Sequence, residues 1–254
     1  MPSPTGWSSV ARVALTGNPY VDGLISGYRW TGSVTYSFPG YDSYWSQASG
    51  TGYGPSPGNR EPWSFYFSPL SSSDRPYFGA AIQKWAAVSN LQVVVVADAV
   101  NSVGDIRAAY TLGAGDHTAA AAWAYFPDFS SSAGDIWFNA AGTSATDVWT
   151  SGSFANFTVL HELGHAMGLK HPFSGSALLP GQYDSQIYTV MSYSALPGQP
   201  NMTLSYYPTS PMLYDISAMQ YLYGANYNFQ PGNDIYAFGD TQTYNETLWD
   251  GGGT

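Results

Sequence analysis

Apolar residues alternate with small polar ones through Ser33-Val34-Thr35-Tyr36-Ser37-Phe38, and Pro39-Gly40 stops the run, so a first strand is expected there. From Asp74 the period changes. Phe78, Ala81, Ile82, Trp85 and Val88 recur at spacings of three and four, which predicts a helix ending near Asn90. The β-branched run Leu91 to Ala97 reads as a buried strand, followed by strands at Asp105 to Thr111, Ala119 to Phe126 and Asp135 to Asn139. A second helix is expected from about Phe154 to Met167, with Ser153 as N-cap and Gly168 as its stop, and a third from Asp215 to Tyr223 before Gly224. Gly, Pro and Ser make residues 1–32 an irregular lead-in and residues 41–69 a long loop, and six prolines make 172–214 mostly loop. A strand, a long helix, several strands and a further helix amount to an α+β fold, a mixed sheet backed by a helix.

Composition narrows the function. Seven Lys and Arg against 17 Asp and Glu give a net charge of −10 over 254 residues, which argues against nucleic acid as a partner. Only 9% of residues are charged while 17% are aromatic, so one large domain with a sizeable core is expected rather than a disordered acidic chain. No cysteine is present, which excludes disulfides, thiolate nucleophiles and Cys-ligated metals and suits export without thiol chemistry. Met1 to Val10 carries no Lys or Arg, and the apolar run Val10 to Leu15 is broken by Arg12, so no N-terminal signal is read. The longest strongly apolar stretch, Val93 to Ala97, is far below the roughly 20 residues of a membrane span.

The chemistry concentrates in His161-Glu162-Leu163-Gly164-His165-Ala166-Met167-Gly168-Leu169-Lys170-His171, which holds three of the four His and one of the three Glu. On a helix His161 and His165 lie at i and i+4 on one face, so both imidazoles can reach one zinc at about 2.0–2.1 Å. Glu162 lies beside them and can address a water without ligating, as a general base does. A straight helix would carry residue 171 out of reach. Gly168 can adopt positive φ and turn the chain, returning His171 as third ligand and leaving an open coordination position, the mark of a catalytic rather than a structural zinc. The fourth histidine, His117 in Gly115-Asp116-His117-Thr118, reads as a solvated loop residue.

The segment His161 to His171, followed by Pro172 and by Tyr188-Thr189-Val190-Met191-Ser192-Tyr193, resembles the metzincin metallopeptidases and among them the serralysins. Ser37-Phe38-Pro39, Gly134-Asp135-Ile136-Trp137-Phe138-Asn139, Asp215-Ile216, Gln220, Tyr223-Gly224 and Asn226 match as well. The resemblance implies zinc ligation by His161, His165 and His171, catalysis by Glu162, an apolar floor from Met191 and a switchable further ligand in Tyr193. It also implies a zinc-binding helix, a mostly irregular lower subdomain, protein or peptide substrates and a secreted enzyme. A monomer is expected, with the protease domain over 33–226. Asp250-Gly251-Gly252-Gly253-Thr254 is similar to the opening of a calcium-binding β-roll, so 227–254 is read as its incomplete start, poorly packed, with Ca2+ expected in a longer parent chain carrying a C-terminal export signal.

Ala119, Ala120, Ala121, Ala122, Trp123, Ala124 and Tyr125 precede the Gly134-Asp135 strand with small residues on both faces, which suits an edge strand that pairs with an extended peptide. The competing reading is a zinc-containing binding module of weak activity. The intact Glu162 speaks against it, because a binder needs no base beside the metal.

Overall fold

The structure is a computed structural model that describes residues 9–56, 61–112, 119–142, 147–199 and 202–253. His117 lies outside the described residues. Among these, six strands form a mixed sheet: β3 (Val34–Ser37), β4 (Ser68–Pro69), β5 (Val93–Val95), β6 (Ile106–Thr111), β7 (Ala122–Ala124) and β8 (Ile136–Asn139). The order is β5-β3-β6-β8-β7, with β4 paired antiparallel to β6. β3 runs parallel to β5 and β6, and β6 parallel to β8, while β7 alone closes the far edge antiparallel to β8.

Central strands β6 and β8 are buried along their whole length, and the one charged side chain in them, Arg107, is paired with the buried carboxylate of Asp98 at 2.9 Å. Ile106, Ala108, Ile136 and Phe138 face a core shared with helices α2 (Arg75–Val88), α3 (Phe154–Ala166) and α4 (Leu213–Tyr223). Ala109 and Trp137, one step out of phase, face a second cluster with Trp45, Tyr53 and Trp123 on the opposite side of the sheet. The helix expected from Asp74 starts at Arg75 and ends at Val88; the third helix begins at Leu213, two residues before Asp215.

Two expectations need correction. The run Leu91 to Ala97 is not a buried strand. Only Val93–Val95 pairs, at the outer edge of the sheet, where Val94 and Val95 are 49% and 57% exposed: β-branching marked strand propensity and not burial. Nor is the lead-in irregular throughout. β1 (Val10–Arg12) pairs antiparallel with β2 (Tyr28–Trp30) around a short helix α1 (Pro19–Asp22), and Leu24, Ile25 and Trp30 are buried in the main core. Strands of three residues among glycines carry too little pattern to be read singly.

Residues 227–253 form no helix or strand and none is buried. The segment is nonetheless tied down, by Trp249 Nε1 donating to Asn226 O at 3.0 Å and Thr209 N donating to Asn245 O at 2.8 Å. Among the described residues no helix is long and apolar enough to cross a membrane.

Candidate metal centre

Ser153 caps α3 by accepting from Asn156 N at 3.1 Å, and the helix carries His161, Glu162 and His165 in its last two turns. Its end is built around Gly168. Leu169 N donates to Gly164 O at 2.9 Å and Gly168 N to His165 O at 2.9 Å, the paired bonds of a Schellman motif, with Gly168 at φ 103°. A Cβ on Gly168 would stand 2.5 Å from Tyr28 O, so the lead-in leaves no room for another residue. The lead-in also satisfies carbonyls and amides of this turn: Trp30 Nε1 donates to Ala166 O at 2.7 Å, Ser26 N to Gly168 O at 2.8 Å and Lys170 N to Leu24 O at 2.7 Å.

The turn returns the chain so that three imidazoles meet. His171 Nε2 lies 3.1 Å from His161 Nε2 and 3.0 Å from His165 Nε2. Among the described residues this is the one group of His, Cys, Asp or Glu whose ligand atoms converge on a single point. His165 Nδ1 is 2.8 Å from Leu169 O, and His161 Nδ1 is 2.8 Å from Val190 O. Each carbonyl can only accept, so both rings carry the proton on Nδ1 and present a bare Nε2 lone pair. Burial holds all three imidazoles neutral, His161 down to about 4, His171 down to about 3 and His165 well below its usual range.

These residues fit a zinc ion. Two nitrogens bound tetrahedrally at 2.0–2.1 Å stand about 3.3 Å apart, close to the separations found. Two bare acceptors with a third imidazole nitrogen 3.0–3.1 Å from each suit a cation between them. Glu162 adds an unpaired oxygen. Its carboxyl is buried, Oε2 has no hydrogen-bond partner among the described residues, and burial pushes its pKa up to about 8.

Met191 lies under the centre. A Cβ on Gly164, between the two helical histidines, would meet Met191 Sδ at 2.4 Å, so Gly164 is the residue that lets the turn carrying Met191 pack this close. Asp215 holds that turn, its carboxylate accepting from Thr189 Oγ1 at 2.6 Å, Val190 N at 2.7 Å and Met212 N at 2.8 Å. Since Val190 O orients His161, the buried carboxylate of α4 reaches the centre through one residue, Val190. Gly164 drew no notice in the sequence as more than part of the motif, and Asp215 only as part of a resemblance. Tyr193 is 59% exposed; its ring stacks on His161 at 5.6 Å and lies 4.6 Å from His171. Phe173 stacks on His171 at 5.0 Å and also touches Tyr193, ring centroids 5.2 Å apart.

Two clefts flank the centre. One, of about 370 Å3, is lined by Ala120, Ala121, Ala122, Phe154, Phe157, Thr158, His161, Glu162, Gln186 and Tyr193. The other, of about 510 Å3, runs past His165, His171, Phe126 and Lys170 along Ala120, Ala122, Trp123 and Ala124. Strand β7 borders both. Tyr125 N donates to Asp135 O at 3.0 Å and Asn139 N to Ala121 O at 2.9 Å, so the odd-numbered residues turn their backbone groups to β8. Ala122 and Ala124 therefore turn theirs to the open side. Ala119, Ala120, Ala121 and Tyr125, expected within the strand, flank it.

A mixed sheet with a long backing helix over three convergent histidines and a buried glutamate is the framework of a metzincin zinc metalloprotease domain. The matrixin family, peptidase M10, matches residues 70–193, which takes in α2, strands β5 to β8, α3 and the turn through Tyr193. Over 226 residues, 81% of its length, the chain is 30% identical to a serralysin of Proteus mirabilis, and it covers 42% of that protein. It is 31% identical over 218 residues to a serralysin of Photorhabdus laumondii, 76% of this chain and 44% of the relative. Metalloprotease AprA of Pseudomonas entomophila is 31% identical over 214 residues, 74% and 43% of the two chains. The chain carries a serralysin-like metzincin catalytic domain, and spans less than half the length of these relatives.

Proposed function

We propose that this domain is a zinc endopeptidase that hydrolyses peptide bonds of extended protein segments, with Glu162 as general base. The observation that carries the reading is the convergence of three imidazole Nε2 atoms, two of them bare, beside a buried carboxyl oxygen that no described residue partners. Zinc, when bound, supplies Lewis acidity toward the scissile carbonyl and brings the pKa of its water near 7. Glu162 takes the proton of the attacking water and later delivers it to the leaving amine. The Tyr193 hydroxyl, on an exposed ring that rests on two ligand rings, donates to the developing oxyanion. Met191 acts by packing, keeping the helical histidines over an apolar floor.

The open backbone groups of Ala122 and Ala124 support an extended substrate lying antiparallel to β7. Phe154 and Phe157 in the smaller cleft support an apolar substrate side chain beside the scissile bond. Secretion is the reading that a cysteine-free, serralysin-like chain supports, and calcium binding is assigned to no residue of this chain.

Zinc content and casein hydrolysis, each measured before and after a chelator, test the proposal. About one zinc per chain is expected, with hydrolysis lost on its removal and restored by added zinc. Hydrolysis that survives full removal of zinc would contradict it.

A further inference from the structure

We infer that Glu61 is a positioning residue for substrate binding: from the far side of the sheet it sets the face and height at which β7 meets an extended peptide. Glu61 opens a short 3-10 turn, Glu61–Trp63, outside every motif that the sequence suggested, and it is 2% exposed. The turn is fixed at its root by Thr111 Oγ1, at the end of β6, donating to Glu61 O at 2.8 Å. From there the carboxylate reaches the edge strand. Its Oε1 accepts from Trp123 Nε1 at 3.1 Å and from Tyr125 OH at 2.6 Å.

Trp123 and Tyr125 are two residues apart, so both side chains leave the strand on the same face, the one away from the metal. Their intervening neighbours, Ala122 and Ala124, are those whose backbone groups point to the open side. One carboxylate oxygen thus ties together the two residues that bracket Ala124. An edge strand is otherwise held along one side only, through β8, and is free to twist about its own axis.

Packing alone does not account for a carboxylate at this point. Burying one beside Trp123 and Tyr125 is unfavourable, and an apolar side chain would fill the same space without that cost. What the apolar side chain would lack is an acceptor for the indole and the phenol. Glu61 touches neither substrate nor metal, so it acts by orientation and its effect belongs in substrate binding.

The inference rests on the reading that the substrate pairs with β7, and the test separates the two. Wild type, Glu61→Leu, Glu61→Gln and Tyr125→Phe are each assayed for kcat and KM on a short peptide that spans only the scissile bond and its neighbours. They are then assayed on a longer peptide that reaches along β7, and on the longer peptide N-methylated at its strand-pairing amides. Zinc content is measured in parallel. For Glu61→Leu, KM for the longer peptide is expected to rise about tenfold while kcat and zinc stay near wild type and the short peptide is unaffected. Glu61→Gln keeps an acceptor oxygen and should recover most of the loss. Tyr125→Phe removes one donor with the least disturbance and should raise KM about threefold, which keeps the inference testable if Glu61→Leu does not fold.

If wild type is indifferent to both peptide length and N-methylation, the pairing reading fails and the role of Glu61 falls with it. If wild type favours the longer peptide and the folded variants keep that preference undiminished, pairing stands and the role of Glu61 is overturned. A fall in kcat or zinc that is equal for all peptides would likewise overturn it, since that is what general loss of structure produces.

Discussion

The cleft has a floor and a roof, and they are held by different means. The floor is α3 with the turn through Val190 and Met191. Its histidines are oriented by backbone carbonyls, Val190 O and Leu169 O, which are themselves fixed by a helix terminus and by Asp215. The roof is β7, three residues long, paired on one side and braced from behind by side chains of the aromatic cluster. A centre that must hold each of three nitrogens within a few tenths of an ångström of its required position benefits from backbone partners, which have few degrees of freedom. A strand that receives varied peptides needs only its height and tilt set.

Three substitutions probe this contrast, the strongest at the open end of the floor. Tyr193→Phe keeps the stacked ring and removes the hydroxyl. It should lower kcat about a hundredfold, roughly 3 kcal/mol of transition-state stabilisation, with KM nearly unchanged. An unaltered kcat would reduce Tyr193 to a wall of the cleft. Glu61→Leu, on the roof, should do the reverse and move KM alone by about tenfold.

The smallest effect is expected behind the roof, at Asp135. Its carboxylate accepts from Tyr53 OH at 2.6 Å within the same cluster, and burial pushes its pKa up to about 8. A carboxyl that is harder to ionise in the folded chain favours folding while protonated. Its contribution is full below about pH 4, the unfolded value, and is lost as pH rises toward 8. Asp135→Asn cannot ionise, so the fall in Tm between pH 5 and pH 8 should shrink by about 5 °C, seen by thermal denaturation at the two values. Asp215, pushed up to about 7 by burial, retains part of the slope in both proteins. A slope equal to that of wild type would mean that Asp135 ionises as freely folded as unfolded.

The same contrast explains what the sequence made legible. The floor could be read because three histidines, Glu162 and the turn occur within eleven residues, where helical spacing and one glycine dictate the geometry. The sheet could be read in outline, since β6 and β8 place apolar residues on both faces despite Arg107, and β7 stood out as an edge by its alanines. The brace behind β7 could not be read. Glu61 lies 62 and 64 residues from its partners, and a lone glutamate in a loop of Gly, Pro and Ser carries no local sign of burial. The lead-in failed for a related reason: its short strands are ordered by what they close around, the end of α3, rather than by their own pattern. Leu91 to Ala97 erred in the opposite direction, where local pattern was strong and the place in the sheet decided exposure.

The central claim is that three histidines hold the metal while Glu162 moves the proton, and replacing one group of each kind separates those duties. Glu162→Ala should retain about one zinc per chain, by metal analysis, and lose at least about a thousandfold in kcat/KM on a peptide substrate. His165→Ala, measured beside it, should lose the zinc itself. Hydrolysis near the wild-type rate in zinc-loaded Glu162→Ala would contradict the account.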